Sequence, residues 1–381
     1  MVFEPVHNPR VLILGGYGNF GKRVATLLLK DPNLEVILAG RDITKAQQEV
    51  ARLQQQIPHA NITPLQLDWR AFDFKEKLKI AAPHLLIHSA GPFQAQDYSV
   101  VYACIDLKIH YIDLSDAREF VTGIITLDEL AKQQDVVVLS GASSVPGLSS
   151  VIIDSYATKY TELREIDFGI APGNKAERGS ATIEAILSYT GKPFMRLENG
   201  RWKKVYGWQN LHRHYYGDNI GLRLHGNLDI PDLDLLPDRY PMLKTVTFHA
   251  GLEVPLLHWI MWHMSWLTRA KIVKDWSAFV KPINKLSHWF DNWGTDCGGM
   301  FIHLSGSNHD YQPLDIYWTL VADKGHGPYL PVIPSVIMAH KILDNLVPAG
   351  ARPCLGLFTL AEFDEQIKDW DIYYTVQEVV S

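Results

Sequence analysis

A glycine-rich segment near the N-terminus has the composition and spacing of a loop that binds a pyrophosphate. It directly follows the apolar run at residues 11–14 and consists of Gly15, Gly16, Tyr17, Gly18, Asn19, Phe20 and Gly21. The spacing G-x-G-x-x-G allows a tight turn, lets phosphates approach the backbone, and lets a helix pack on a strand. Apolar residues then recur at helical spacing, so the N-terminal amides of a helix can face the anion. The segment predicts a dinucleotide site whose cofactor contacts are Gly15, Gly16, Gly18, Asn19, Phe20 and Gly21.

The residues after the second predicted strand bear on the choice between NAD and NADP. That strand covers residues 35–40, and Arg41 is the first side chain beyond it. A guanidinium pairs well with a 2′-phosphate and can stack on adenine, which favours NADP. Asp42 leaves an alternative open, because its carboxylate could bind the ribose hydroxyls of NAD or cap the helix that begins at Ile43. We expect NADP, with NAD as the alternative cofactor.

Strands and helices alternate through the first third of the chain. The apolar runs predict six strands, at residues 11–14, 35–40, 62–67, 84–88, 110–113 and 136–140, with crossover helices between them. This pattern predicts an α/β Rossmann domain, a doubly wound parallel sheet, over residues 1–148. Ligands bind at the carboxyl ends of such strands. We therefore expect further cofactor contacts from Asp68, Ser89, Ala90, Gly91, Pro92 and Phe93.

Carboxylates and hydroxyls that could take part in catalysis follow the fifth and sixth strands. Asp113 and Asp116 are candidates for a carboxylate that orients the substrate or relays a proton, and Ser144 for a hydrogen-bond donor. The alternative is that Asp116 or Ser115 only caps the helix expected from Ala117 to Gln134. Further candidates lie in the second part of the chain: the possible proton donors His249, His303 and His326, and Arg178 as a partner for a carboxylate.

The pattern of elements changes after residue 148. Strand-like runs at residues 165–171, 245–253, 299–305 and 314–322, together with a hairpin turn at Asn199-Gly200, predict a mainly antiparallel sheet with helices. We expect residues 149–330 to form an α+β domain for substrate binding and dimerisation. Residues 331–381, which include a predicted helix at residues 331–345, are expected to pack back on the first domain.

Composition and charge exclude several classes of protein. The 381 residues are 47% hydrophobic and 20% charged with a net charge of −6, which gives no reason to expect a nucleic-acid partner. The three cysteines have no C-x-x-C spacing, and the 16 histidines include no H-E-x-x-H motif or clustered ligand set, so no metal is expected. No basic and apolar leader precedes the first strand, which predicts a cytoplasmic protein.

A tryptophan-rich stretch at residues 254–267 is free of acids and of lysine and arginine. Trp259, Trp262 and Trp266 recur at i, i+3 and i+7 and share one helical face, and the stretch is too short to span a bilayer. It could be a buried helix or a homodimer interface, a wall of an apolar substrate pocket, or a membrane-surface anchor. We expect a homodimer that uses part of this face.

Several motifs in succession resemble those of the saccharopine dehydrogenase/reductase-like oxidoreductases. They are the glycine loop, Ala39-Gly40-Arg41, Ser89-Ala90-Gly91-Pro92-Phe93, Ala103-Cys104 before Tyr111-Ile112-Asp113, Gly141 to Gly147, Gly298-Gly299-Met300, Gly325-His326-Gly327-Pro328 and Gly356 to Leu360. The resemblance covers nearly the whole chain. It implies a nicotinamide-dependent oxidoreductase, with Pro92 and Phe93 beside the nicotinamide.

The resemblance leaves the substrate open. Members of this family form or reduce a C=N bond of amino-acid or polyamine-like substrates, and others are lipid-related enoyl reductases or have no assigned reaction. Lysine-pathway members carry an Asp-Pro-Gly type turn after the sixth strand, where this chain has Ser144-Val145-Pro146-Gly147. We expect a small-molecule substrate of the amino-acid or polyamine type. The alternatives are a lipid-like enoyl or keto substrate, or a non-catalytic NADP-binding protein that acts at partners or lipid surfaces.

Overall fold

The computed structural model describes residues 8–94, 96–177, 179–290 and 292–380, which form two compact units. The first unit contains the described residues up to Leu148 together with Tyr329–Phe358. The second contains Ser149–Pro328 and the described residues from Thr359 onward.

The strands and helices have the following bounds. The strands are β1 Arg10–Leu14, β2 Glu35–Gly40, β3 Ile62–Gln66, β4 Leu85–His88, β5 His110–Asp113, β6 Val137–Ser140, β7 Tyr160–Ala171, β8 Pro193–Glu198, β9 Arg201–Tyr206, β10 His212–Tyr215, β11 Leu222–Asn227, β12 Thr245–Leu252, β13 Gly298–Asn308, β14 Pro313–Ala322, β15 Gly350–Pro353 and β16 Ile372–Val380. The helices are α1 Gly21–Leu28, α2 Ile43–Gln56, α3 Phe74–Ala81, α4 Ser99–Asp106, α5 Arg118–Gly123, α6 Asp128–Gln133, α7 Ser149–Ala157, α8 Ser180–Tyr189, α9 Asp232–Arg239, α10 Pro255–Arg269, α11 Val280–Ser287, α12 Ile333–Leu343 and α13 Leu360–Ile367.

The first unit is built on a seven-stranded parallel sheet in the order β15-β6-β5-β4-β1-β2-β3. Its central strands β1 and β4 are almost completely buried, as strands covered by helices on both faces must be. The predicted α/β Rossmann sheet is confirmed, and all six predicted strands are present. The seventh strand, β15, was not predicted from the sequence, because four residues without a clear apolar alternation carry little signal.

The helix predicted over residues 117–134 is broken into α5, a 3-10 turn at Ile124–Leu127, and α6. The cause lies in the carbonyl of Phe120, which accepts a hydrogen bond from the Tyr98 hydroxyl at 2.7 Å. In a continuous helix this carbonyl would accept a hydrogen bond from the amide four residues further on. A side chain that replaces one of the helical hydrogen bonds is a recognised cause of such a break.

The second unit contains a seven-stranded sheet in the order β10-β11-β12-β7-β13-β14-β16. Only β12 and β7 are parallel neighbours, so the predicted mainly antiparallel sheet is confirmed. One face carries apolar side chains such as Phe168 and Phe248, whose rings lie 5.0 Å apart. The opposite face carries Asp167, Thr247 and His249, which alternate with those apolar residues along β7 and β12.

Residues 331–381, which were expected to pack back on the first domain, divide between the two units. α12 and β15 belong to the first unit, whereas α13 and β16 belong to the second. β16 pairs with β14 from Leu314↔Val380 to Ala322↔Ile372. This pairing satisfies backbone groups along an edge of β14 that would otherwise lack partners.

In the part of the chain that the structure describes, no helix has the length and apolar character needed to cross a bilayer.

Candidate functional site

The glycine loop of the first unit has the geometry of a pyrophosphate cradle. Gly15 has a φ of +83°, and the amides of Gly15 and Gly16 both donate to the carbonyl of Ala39 at 2.9 Å. A Cβ atom on Gly16 would lie 2.6 Å from Cγ of Leu38, and one on Gly21 would lie 2.4 Å from the carbonyl oxygen of Gly15. α1 begins at Gly21 without a side-chain cap, so the positive end of its helix dipole can face an anion.

Asn19 and Phe20 form the turn into α1. The Arg23 guanidinium donates to both the backbone and the side-chain oxygen of Asn19, and it lies over the ring of Tyr329 at 5.4 Å. Phe20 is the residue directly before the helix. The loop is therefore held from its helical side, and within it the Gly18 amide donates to the carbonyl of Gly15 at 2.9 Å.

The acidic residue after β2 has a structural role. The Asp42 carboxylate accepts hydrogen bonds from the amides of Thr44 at 3.0 Å and Lys45 at 3.2 Å and so caps α2. The Asp42 amide donates to the hydroxyl of Tyr17 at 3.1 Å. Arg41, by contrast, is exposed, and only its backbone oxygen is engaged, by Gln66 at 3.2 Å. Of the two roles left open for Asp42 by the sequence, the structure contains the helix cap.

The residues predicted at the ends of β3 and β4 make different hydrogen bonds. Asp68 accepts from the amide of Arg70 at 3.1 Å and closes the turn after β3. The Ser89 hydroxyl donates to the carbonyl of Leu14 at 3.0 Å, which ties the end of β4 to the glycine loop.

The segment of Ala90, Gly91, Pro92 and Phe93 follows Ser89 and contains a cis Gly91–Pro92 peptide. The Gln96 side chain donates to the carbonyls of Ala90 and Pro92, each at 2.9 Å. The Phe93 ring is buried against Phe120, with centroids 5.3 Å apart. Ala90, Gly91 and Pro92 are half-buried, whereas Phe93 is buried.

Asp113 is fully buried at the end of β5 and joins two loops. Its Oδ1 accepts from the amides of Gly141 at 2.8 Å and Ser115 at 3.0 Å, and from the hydroxyl of Ser140 at 3.0 Å. Burial raises the pKa of this carboxyl to about 6, although the hydrogen bonds from Gly141 and Ser115 oppose that shift. Asp113 thus holds the loops after β5 and β6 together.

Asp116 and Ser144 are not committed in this way. Asp116 is half-buried and accepts from the side chain of Gln94 at 3.2 Å, and burial raises the pKa of its carboxyl. It does not cap α5, which begins at Arg118 without a side-chain cap. Ser144 is half-buried at the start of the π-helical turn Ser144–Leu148. The structure therefore brings most of the predicted residues to one edge of the parallel sheet, joined through Ser89, Gln94 and Asp113.

His88 was not among the predicted site residues, although it lies at the same edge. It is buried at the end of β4, and its Nδ1 lies 3.1 Å from the Tyr111 hydroxyl. Burial lowers the pKa of His88 to about 3, so the ring is neutral at physiological pH. A histidine that ends an apolar run at the carboxyl edge was the available signal.

The second unit contains a cleft of about 420 Å³ on the polar face of its sheet. Its lining includes Glu165, Asp167, Arg196, His212, His249 and His303. His249 Nε2 lies 2.9 Å from Asp167 Oδ1, and His212 Nε2 lies 3.9 Å from Asp167 Oδ2. Sequence reasoning found His249 and His303 but missed Asp167 and His212. The alternation of His212 and His214 was the only local signal, because β10 itself was not predicted.

His212 in the cleft and two other histidines of the same sheet, His214 and His225, have lowered pKa values. Burial lowers the pKa of His212, and it lowers the pKa of His214 to about 4 and that of His225 to about 3. Burial alone would raise the pKa of Asp167, but hydrogen bonds from His249 and Thr247 outweigh it and lower this pKa. At neutral pH the cleft therefore holds the Asp167 carboxylate beside a neutral His212 imidazole.

The other predicted residues of the second unit have different positions. His303 lines the cleft and bonds Asp315 at 2.8 Å, with its ring stacked on Tyr317. His326 does not join this group, because it stacks on Trp370 and accepts from the amide of Asp371 at 3.2 Å. Arg178 lies outside the described residues.

Comparisons with known proteins agree with this architecture. Residues 11–139 match the family model described as the saccharopine dehydrogenase NADP binding domain. Among solved structures, the chain is similar to apo saccharopine dehydrogenase (L-Glu forming) from Saccharomyces cerevisiae, with 13% identity, a TM-score of 0.70, and coverage of 98% of this chain and 100% of that one. It is also similar to homospermidine synthase from Legionella pneumophila in complex with NAD, with 13% identity, a TM-score of 0.59, and coverage of 97% and 92%. A search of curated sequences gave no match.

At these identities the two solved structures establish the fold, and the matched domain establishes the cofactor class. The domain match begins within β1 and ends within β6, and so spans the glycine loop and the loops after β2 to β5. The cradle described above fits such a cofactor, because the cap-free start of α1 can face a pyrophosphate. The chain thus contains a domain that matches the saccharopine dehydrogenase NADP binding domain, within a fold similar to those of saccharopine dehydrogenase and homospermidine synthase.

Proposed function

We propose that this protein transfers a hydride to or from a C=N or related bond of a small amino-acid or polyamine-like substrate. The observation that carries the proposal is the chemistry of the cleft in the second unit. Its lining combines the carboxylates of Glu165 and Asp167, the guanidinium of Arg196, and imidazoles. Such a lining suits amino and carboxyl groups. It disfavours a long hydrocarbon chain, because charged groups lose their hydration when covered by apolar surface.

The names of the similar structures agree with this substrate class. Saccharopine and homospermidine both carry amino groups, and the proteins named for them share this fold. We assign substrate binding and dimerisation to the second unit. A lipid-like enoyl or keto substrate is the competing possibility, and the polar lining speaks against it.

The cofactor that we propose is NADP, bound through the glycine loop and Arg41. Asp42 supports this choice, because a carboxylate already engaged by two amides is less able to select the ribose hydroxyls of NAD. Arg41 is exposed and can pair with a 2′-phosphate. We also assign contacts to the residues at the strand ends, namely Asp68, Ser89, Ala90, Gly91, Pro92 and Phe93.

When bound, the nicotinamide supplies or accepts the hydride. We assign Asp116 to orient the substrate nitrogen and exchange its proton, because burial raises the pKa of this carboxyl toward the range in which a proton can be held and released. Ser144 can donate a hydrogen bond from the neighbouring loop. We assign Asp113 a positioning role, since three donors already engage its Oδ1.

A homodimer that covers the tryptophan face of α10 completes the proposal. Trp259 and Trp266 are 40% and 42% exposed, and the Trp262 ring contacts both at centroid distances of 5.6 and 5.8 Å. The buried positions of this helix are instead His258, Met261 and Ser265. A helix that turns its larger apolar groups outward has the surface of an interface, and a second copy of this chain is the occupant that we propose.

The experiment is a comparison of substrates in the presence of NADPH or NADP. The protein is incubated with 2-keto acids plus amines, with amino acids and polyamines, and with enoyl and keto lipids, and the change in NADPH absorbance is followed. We expect turnover with a member of the amino-compound set. We expect Asp116→Asn to lower the single-turnover rate by about 10²-fold with nearly unchanged NADPH affinity.

Asp97→Asn is the matched control, because Asp97 is an exposed aspartate in the connection between β4 and α4 and accepts from the Ser99 amide at 3.0 Å. This variant should keep the full rate. Turnover with lipids alone would overturn the substrate class. Binding of NADPH without turnover of any compound would favour the non-catalytic alternative.

A further inference from the structure

The cleft of the second unit contains a group of side chains to which the proposed reaction assigns no chemical step. Asp167, His212 and His249 each offer one ligand atom, and these three atoms all lie within 4.8 Å of one another. They come from three different strands, β7, β10 and β12. We propose that these three side chains bind a divalent transition-metal ion, with Zn²⁺ as the best fit.

The distances suit a single ion. A tetrahedral ion with ligands at about 2.0–2.1 Å separates neighbouring ligand atoms by about 3.3 Å. The two measured pairs, 2.9 Å from Asp167 Oδ1 to His249 Nε2 and 3.9 Å from Asp167 Oδ2 to His212 Nε2, lie on either side of this value. All three ligand atoms lie within 4.8 Å of one another, so a modest approach of the side chains would bring them onto one ion. Two imidazoles and a carboxylate form a borderline donor set that favours zinc over calcium or magnesium.

The sheet holds two of the three ligands firmly. Asp167 and His249 lie on the adjacent central strands β7 and β12, where His249 pairs in register with Gly169. The Thr247 hydroxyl donates to Asp167 Oδ1 at 2.5 Å, which is the kind of outer hydrogen bond that orients a metal-binding carboxylate. The third ligand is more accessible, since 35% of the His212 side chain is exposed. His212 can thus adjust its position to an ion held by the other two residues.

One imidazole must turn to complete the site. The rings of His212 and His249 are stacked at 4.6 Å with an interplanar angle of 11°, so their in-plane lone pairs do not converge until one ring rotates. The partly exposed His212 is the ring that we propose rotates on metal binding. All three ligands line the cavity of about 420 Å³, so a fourth coordination position can open toward it. Three protein ligands and one open position are typical of zinc sites that bind a small molecule or a water.

A hydrogen-bonded Asp–His pair without a metal is the competing explanation of the same contacts. If the pair binds no metal, substitution of either residue leaves the zinc affinity unchanged; if both are ligands, the substitution weakens it. The two explanations can be tested independently of hydride transfer, because the zinc affinity is measured without a substrate. Failure of the proposed reaction would therefore leave the metal proposal open, and the reverse is also true.

The test is isothermal titration of the tag-free, chelator-treated protein with Zn²⁺, supported by the absorption spectrum with Co²⁺. We expect one tight equivalent per chain and a Co²⁺ spectrum of low coordination number. His249→Ala and Asp167→Asn should weaken the tight site by about 100-fold or more. NADPH affinity serves as the folding control, since the cofactor cradle belongs to the first unit.

His303→Ala is the matched control, because His303 lines the same cavity but is bonded to Asp315 on β14. This variant should bind zinc as the unchanged protein does. The absence of a stoichiometric site would overturn the proposal. Equal affinity in the Asp167→Asn, His249→Ala and His303→Ala variants would also overturn it, since the zinc would then be bound elsewhere.

Discussion

Asp113 offers a sharp test of how the first unit holds its candidate site together. Its Oδ1 accepts from two backbone amides and one hydroxyl, all buried. The informative comparison is between Asp113→Asn and Asp113→Ala. Both variants are uncharged, so the raised pKa of the carboxyl affects neither, and they differ in whether an acceptor remains.

The magnitude follows from the number of donors. Each buried hydrogen bond contributes roughly 1 kcal/mol net, so three donors predict that the Ala variant is less stable than the Asn variant by about 3 kcal/mol. For a unit of this size, that difference corresponds to a melting temperature lower by about 6–12 °C. Calorimetry of both variants measures the difference. Hydrogen exchange at the amides of Ser115 and Gly141 locates it, because these amides lose their acceptor only in the Ala variant.

Equal melting temperatures for the two variants would refute this reasoning, and so would equal exchange at the two amides. The turnover of the Asn variant is a second readout. If Asp113 only positions the loops, Asp113→Asn should keep most of the activity. A turnover rate lowered by about 10²-fold in that variant, with unchanged stability, would instead indicate that Asp113 takes a direct part in the reaction.

Three further predictions concern the cofactor, the pH dependence of stability and the oligomeric state. Arg41→Ala should weaken NADPH binding by about 10- to 100-fold through the loss of a charge-assisted contact, with NADH binding nearly unchanged; an equal loss for both cofactors in titration calorimetry would contradict NADP selection. Asp232 accepts from the Ser149 hydroxyl at 2.5 Å, and burial raises its pKa from 3.8 to about 7. Because the folded state then binds this proton more tightly than the unfolded state, stability falls as pH rises through that window. The free energy of unfolding of Asp232→Asn should therefore rise relative to that of the unchanged protein, by up to about 4 kcal/mol, as the pH increases from 3.8 to about 7. A constant difference between the two proteins in urea denaturation across that range would exclude the effect. Trp259→Glu together with Trp266→Glu should convert a dimer to a monomer in light scattering, and a monomeric mass for the unchanged protein at micromolar concentration would oppose the interface.

Local pattern was sufficient to predict the cofactor site. The glycine spacing, the apolar run before it and the helical spacing after it are short-range features. A phosphate cradle needs little more than backbone conformation and the start of a helix. The six strands were predicted for the same reason, since a strand covered on both faces is a continuous apolar run. The same information predicted Asp113 and Asp116 together at one sheet edge.

The tertiary structure decided how those neighbouring residues are used. Asp113 and Asp116 look alike in sequence, yet Asp113 accepts from Ser140 and Gly141 at a distant strand end, whereas Asp116 accepts from Gln94. Asp42 could have faced a ribose, and its carboxylate caps α2. The choice depends on which hydrogen-bond donors lie nearby in space, and local sequence does not contain that information.

The cleft in the second unit is the clearest case of this division. The sequence alone determined the dinucleotide loop, the parallel sheet and an antiparallel partner sheet, because each is written in the spacing of adjacent residues. Asp167, His212 and His249 are separated by dozens of residues and lie on strands of which one was not predicted. Only strand pairing brings their side chains together, because the order of strands in a sheet is set by long-range packing and backbone hydrogen bonds.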